Sequence, residues 1–272
     1  MDILQYSFFQ NALIGSLLAS ILCGIIGTYI VTRRLVFISG GLTHASFGGI
    51  GLGVYLGFPP ILSATIFTVL SAFGVQWLKG RHDMREDSAI AIFWTLGMSI
   101  GIICSYLSPA FIPDLSSYLF GNILTINTSD IVWLLALTMV TVAVFAFFLR
   151  PIMYVAFDKQ FARSQGIAVN LVDYLMMALI ALSIVACLRM VGIVLVLSLL
   201  TIPQTTANLF SNNYKHIIWL SIVIGLVSCL GGLFFSYACN VPSGACIIFT
   251  SISIYAVCRL LTAIPQRHRI KK

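Results

Sequence analysis

Long apolar runs recur from one end of this chain to the other, at about 9–32, 43–57, 59–78, 88–107, 130–149, 170–188, 190–210, 217–238 and 243–261. A run of about 20 apolar residues is long enough to cross a bilayer as a helix. Only 8% of the 272 residues are charged, against roughly 25% in an average soluble domain. A globule of this size cannot clothe itself in water with 15 basic and 8 acidic side chains. In lipid, backbone groups must pair within the chain, so the choices are a helical bundle or a closed barrel. Barrel strands alternate polar and apolar positions, whereas these runs are continuous. The chain is therefore expected to be all-α: a single polytopic membrane domain over 1–272 with about eight or nine spanning helices. A shorter apolar piece at 119–126 is expected to be re-entrant.

The basic residues set the sidedness. Arg33, Arg34, Lys79, Arg81, Arg85, Arg150, Lys159, Arg163, Lys215 and the closing Arg259, Arg267, Arg269, Lys271 and Lys272 all fall on one side if each run crosses once. Arg189 alone falls on the other, where it contacts an external partner or pairs with Asp114. The positive-inside rule puts the C-terminus and the 150–169 loop in the cytoplasm and the N-terminus outside. The net charge of +7 thus speaks of orientation, and nucleic acid is not an expected partner. The residues before the first run lack the basic start of a cleavable signal peptide. The seven cysteines sit in or beside apolar runs, with no C-x-x-C pair, and read as small apolar fillers.

Several kinds of chemistry lack their residues. The chain has no G-x-x-x-x-G-K-[ST] loop, no H-E-x-x-H and no G-x-S-x-G. The GGIGLG run at 48–53 fails the dinucleotide spacing and lies within a span. Catalytic residues are therefore not expected. Asp130 and Asp173 lie at span ends, within reach of water, so midplane carboxylates of the kind that couple secondary carriers are missing. An energised transporter with this sequence would draw its energy from another subunit.

Three local patterns stand out. Ala45, Gly49, Gly53 and Gly57 recur every four residues, a small-residue stripe for close helix packing. The loop RPIMYVAFDKQFARSQGIAV (150–169) is expected to hold a short cytoplasmic helix, N-capped by Asp158 and ended by Gly166 in the left-handed conformation. Such a helix is either gripped by a soluble partner or merely orders the loop. Pro203 should break the seventh run, where Thr201, Gln204, Thr205 and Thr206 line a path or satisfy the freed backbone groups. His44, at the start of the second run, is either a ligand for a borderline metal or a hydrogen-bond partner of a carbonyl or headgroup.

The segment FDKQFARSQGI (157–167) resembles the coupling-helix segment of the permeases of metal ABC transporters, the zinc, manganese and iron importers. RRLVFISGGLTHASFGGIGLG (33–53), REDSAIAIFWTLGMSIGI (85–102), LFGNILTIN (119–127), MVGIVLVLSLLTIPQTTA (190–207) and VPSGACII (241–248) are similar to further blocks of that family in the same order. The resemblance implies a permease of the bacterial plasma membrane that imports a divalent transition metal by alternating access. It implies a homodimer of this chain, two copies of a cytoplasmic ATPase and an external metal-binding protein. Asp158, Arg163 and Gly166 would then belong to the ATPase contact, and His44 to the metal path. The ion is cargo, and no tightly bound cofactor is expected. In that family an Asp commonly stands four residues before the His; here the position is Gly40. Two alternatives remain open: an ABC permease for a chelate such as a siderophore or cobalamin, and a stand-alone secondary metal carrier.

Overall fold

The computed structural model describes residues 7–81, 84–108 and 126–269. They form ten helices, with no strand among the described residues: α1 (Ser7–Thr32), α2 (Val36–Leu56), α3 (Pro60–Arg81), α4 (Glu86–Leu107), α5 (Thr128–Phe157), α6 (Lys159–Ser164), α7 (Val169–Leu199), α8 (Ile202–Ala207), α9 (Tyr214–Cys239) and α10 (Ser243–Arg269). Seven of them are long and apolar enough to cross a membrane. α2 has spanning length, 21 residues, but its glycines, hydroxyls and His44 dilute its hydropathy. The protein is a polytopic helical bundle. The 119–126 piece, Ile126 apart, lies outside the described residues, as do Asp114 and the side chain of Arg189.

α1 and the first part of α7 form the interior. Of their apolar stretches 78% and 72% are buried, against 22% for α4 and α10. α1 packs on α5, α7 and α9; α2 lies against α3 and α4; α10 closes on α9. Leu22, Ile26, Tyr29 and Ile30 of α1 meet Ile180 and Ile184 of α7 in the core. Hydroxyls within the spans are satisfied locally. Ser16, Ser20 and Thr28 each donate to the carbonyl four residues earlier at 2.7 Å. The outer helices expose Ile103, Met139, Phe147 and Leu260, which lipid solvates as readily as a core would.

Two departures from the apolar-run reading have local causes. α2 begins at Val36, seven residues before the run at 43–57, and follows α1 after a joint of only three residues, with Arg34 in the left-handed region at φ 58°. Val36, Phe37, Ile38 and Leu42 carry the apolar helix back to that joint, with only Ser39 and two glycines among them. The run at 190–210 is not one helix. α7 breaks at Gly192, whose φ of 75° suits glycine, and the chain breaks again before α8, where Pro203 starts a new helix without needing a hydrogen-bond donor. The broken stretch still returns the chain to the basic end. Cys187 lies beside Cys23 midway along α1, at an S–S separation of 3.8 Å, whereas the Tyr214 ring packs on Phe157 next to α6. The described cysteines carry no disulfide.

Candidate functional site

The basic end of the bundle is built around one acid. Asp173, in the second turn of α7, is 5% exposed, whereas its place at a span end suggested access to water. Tertiary packing closes over it. Arg33 from the α1–α2 joint reaches its Oδ1 at 3.7 Å, Lys159 from α6 pairs with Oδ2, and Gln76 of α3 donates to Oδ2 at 3.3 Å. Arg33 also donates to the carbonyl of Val155, near the end of α5, at 2.5 Å. Beside this cluster Lys79 pairs with Glu86, joining α3 to α4. Burial pulls the Lys159 ammonium below its usual range, and the Asp173 carboxylate opposes that pull. Arg33, Lys79 and Lys159 therefore share one end of the molecule. The Asp173 cluster was legible in sequence only as separate charges, because the ion pairs join residues up to 140 positions apart.

α6 sits at that same end. Asp158 caps it, its Oδ1 accepting from the backbone N–H of Gln160 at 2.8 Å and of Phe161 at 3.0 Å. Gly166, at φ 73°, ends the turn, its N–H donating to Arg163 O while the N–H of Ile167 reaches back to Ala162 O. Ala162 is the buried foot of the helix, and Tyr154 meets Phe161 edge-on at 5.4 Å. Phe157, Phe161 and Arg163 remain exposed, so a short rigid knob with apolar and basic groups stands out from the bundle.

His44 lies in the third turn of α2, deeper than the start of a span. Its ring is half-buried and stacks on Trp94 of α4, with centroids 4.6 Å apart and planes 6° apart. Gly40, one turn earlier, is buried, yet a Cβ there would meet only Leu197 Cδ1 at 3.9 Å. No group of three or more His, Cys, Asp or Glu side chains gathers for a metal among the described residues. This turn of α2 thus offers one half-buried imidazole, and position 40, one turn earlier, brings no carboxylate.

The small residues of α2 serve two neighbouring helices. Ala45 packs on Gly97 of α4, where a Cβ on Gly97 would approach Ala45 Cα to 2.5 Å. A Cβ on Gly49 or Gly53 would approach the Cα of Ala64 or Pro60 of α3 to 2.6 or 2.9 Å. Gly57 is not part of the packing face: at φ 72° it is the left-handed cap of α2, with open space around it. A second set went unread, Gly48 and Gly51 against Gly97 and Gly101, although the four-residue spacing of the latter pair was visible in sequence.

At the Pro203 break the threonine hydroxyls and the Gln204 Nε2 are engaged with backbone, whereas the buried Gln204 Oε1 has no hydrogen-bond partner. Thr201 Oγ1 donates to Leu197 O at 2.8 Å and Thr205 Oγ1 to Thr201 O at 2.7 Å. Thr206 Oγ1 donates to Ile202 O at 2.8 Å. Gln204, expected as a path-lining candidate, is fully buried, and its Nε2 donates to Cys23 O of α1 at 2.8 Å and to Leu199 O at 3.1 Å. A Cβ on Gly27 would stand 2.4 Å from that nitrogen, so the joint closes only because α1 has glycine there. Thr205 is exposed and Thr201 partly so.

A model of the ABC 3 transport family matches residues 5–262. An uncharacterized membrane protein of Synechocystis sp. is 37% identical over 255 residues, covering 93% of this chain and 90% of that protein. The manganese transport system membrane protein MntC of Halalkalibacterium halodurans is 32% identical over 256 residues, covering 94% and 88%. Among solved structures, PsaBC from Streptococcus pneumoniae in complex with Fab superposes with a TM-score of 0.83 at 30% identity, covering 94% of this chain and 92% of that one.

Proposed function

The chain belongs to the ABC 3 transport family as a metal ABC transporter permease, and from that premise we propose that it imports a divalent transition metal, manganese first among the candidates. A cytoplasmic ATPase drives it. Alternating access moves the ion across a dimer of two copies of this chain, to which an external binding protein delivers it. Manganese leads because a relative at 32% identity is named for manganese transport. Zinc and iron, which favour imidazole more than manganese does, are the other candidates.

The observation that carries the reading is α6. A short helix capped at both ends exposes Phe157, Phe161 and Arg163 at the end where the basic residues gather, and the chain has no phosphate-binding loop of its own. We assign that end, and with it the C-terminus, to the cytoplasm of the plasma membrane. Asp158 and Gly166 hold the knob's shape, and Arg163 contributes its charge to the ATPase contact.

Reconstitution tests this. The permease, its ATPase and the binding protein are placed in proteoliposomes, and uptake of manganese, zinc and iron is followed with and without ATP. Uptake should require ATP and the ATPase. Gradient-driven uptake by this chain alone would overturn the reading in favour of a secondary carrier. Arg163→Glu should loosen ATPase co-purification and depress uptake while leaving the fold intact, because an exposed helix tolerates the change.

A further inference from the structure

We propose that Asp173 is the positioning residue that passes movement of α6 to the start of α2, and so to the Gly40–His44 turn. The proposal rests on α6 being the ATPase contact. Its basis is the set of elements that converge on one buried carboxylate: α6 through Lys159, the α1–α2 joint through Arg33, and α3 through Gln76.

α6 has few other ties to the bundle. Its buried foot is Ala162, and its ring contact is to Tyr154 of the adjoining helix. Apolar contacts of that kind slide, because dispersion has little directionality. An ion pair with one oxygen is directional, and a carboxylate removed from water must keep its partners, since an unpaired buried charge is costly. If α6 shifts, Asp173 therefore follows Lys159 or loses it, and Arg33 on the other oxygen must respond. Arg33 sits in a three-residue joint closed by Arg34 at φ 58°, with Leu35 N–H donating to Ile30 O at 2.8 Å. A joint so short cannot absorb much motion, so displacement of Arg33 tilts α2. Gly40 and His44 lie on α2 within ten residues of Leu35. The path is thus a contiguous set of contacts, as physical coupling between sites requires.

Lys159 is the residue to test, because at 31% side-chain exposure its replacement should spare the fold. The full complex is reconstituted with Lys159→Met, which keeps the stem and removes the charge, and with Lys159→Arg, which keeps the charge. ATPase co-purification, ATP hydrolysis and ions transported per ATP are measured. Lys159→Met should retain the ATPase while ions per ATP fall by at least about tenfold, and Lys159→Arg should restore most of the ratio. Asp173→Asn should match Lys159→Met, with thermal unfolding reporting whether it folds. Wild-type ions per ATP in Lys159→Met would overturn the relay. So would loss of the ATPase from that variant, which would make Lys159 part of the contact itself. If the wild-type chain binds no ATPase, the coupling reading of α6 fails instead, and the two failures are told apart by that control.

Discussion

The two halves of α2 are built on opposite rules. From Ala45 to Gly53 the helix is pressed between neighbours, and Cβ atoms on Gly48, Gly49 and Gly51 would come within 2.6–2.7 Å of backbone on α4 or α3. One turn earlier, a Cβ on Gly40 would meet nothing nearer than Leu197 Cδ1 at 3.9 Å. Both halves are glycine-rich, so composition does not tell them apart. Without a hydrophobic drive between helices in lipid, the close half supplies the van der Waals contact that holds α2 in place. In the open half that contact is missing on the Gly40 side, and there the helix presents a half-buried imidazole. Glycine is a packing device where α2 faces α3 and α4, Gly41 included, and leaves room only on the Gly40 side.

The largest test of this contrast is Gly48→Leu. Its side chain would enter the space of Gly97 O, 2.6 Å from an ideal Cβ, and backbone cannot rotate away as a side chain can. Destabilisation should reach about 3 kcal/mol, the upper part of the usual overpacking range, or α2 should separate from α4. Unfolding in detergent measures it. Wild-type stability would mean that α2 and α4 stand farther apart in the membrane than here.

His44 probes the open half. His44→Gln keeps a polar group of similar reach but removes the imidazole nitrogen, the ligand that zinc and iron favour, so the effect should be larger for them than for manganese. Uptake should fall by about tenfold, the size of effect expected when a metal contact is weakened, with expression and ATPase binding preserved. If uptake persists, the imidazole serves only its stack on Trp94, and the room at Gly40 is unrelated to the ion.

The spans were legible because an apolar run of bilayer length admits few folds, and α1, α3, α4 and α9 follow such runs closely, whereas α5 and α10 continue eight residues past theirs, α5 into the expected 150–169 loop. The caps of α6 were legible too, since Asp158 and Gly166 act within a few residues of themselves. What was hidden depends on partners distant in sequence. Asp173 looks water-accessible until Arg33, Gln76 and Lys159 close over it. Gln204 looks like a path-lining amide until Gly27 lets it reach α1. The break at Gly192 is one glycine among 21, and nothing local marks it as the one with φ of 75°.

The smallest expected effect is the most discriminating. Gly40 and Gly41 are adjacent, both buried and both helical, yet they should respond with opposite sign. Mid-helix glycine costs roughly 0.5–1 kcal/mol relative to alanine. At position 40 a methyl meets only an ordinary contact at 3.9 Å, so Gly40→Ala should raise stability by about that amount. At position 41 the methyl would stand 2.3 Å from Ile90 Cγ2, and Gly41→Ala should lower stability by about 1 kcal/mol or more. Thermal unfolding of the two variants side by side reads the difference, and equal shifts would show that the Gly40 side of α2 is as filled as the Gly41 side. Uptake adds the functional half of the test. If the room at Gly40 is where an ion passes, Gly40→Ala should yield a more stable protein that transports more slowly. A stabilising substitution that left uptake unchanged would show that the room is spare volume. Gly40→Asp completes the series, because a carboxylate one turn from His44 should hold divalent metal through purification if the two positions face the path together. A metal-free Gly40→Asp protein would separate positions 40 and 44 from the ion altogether.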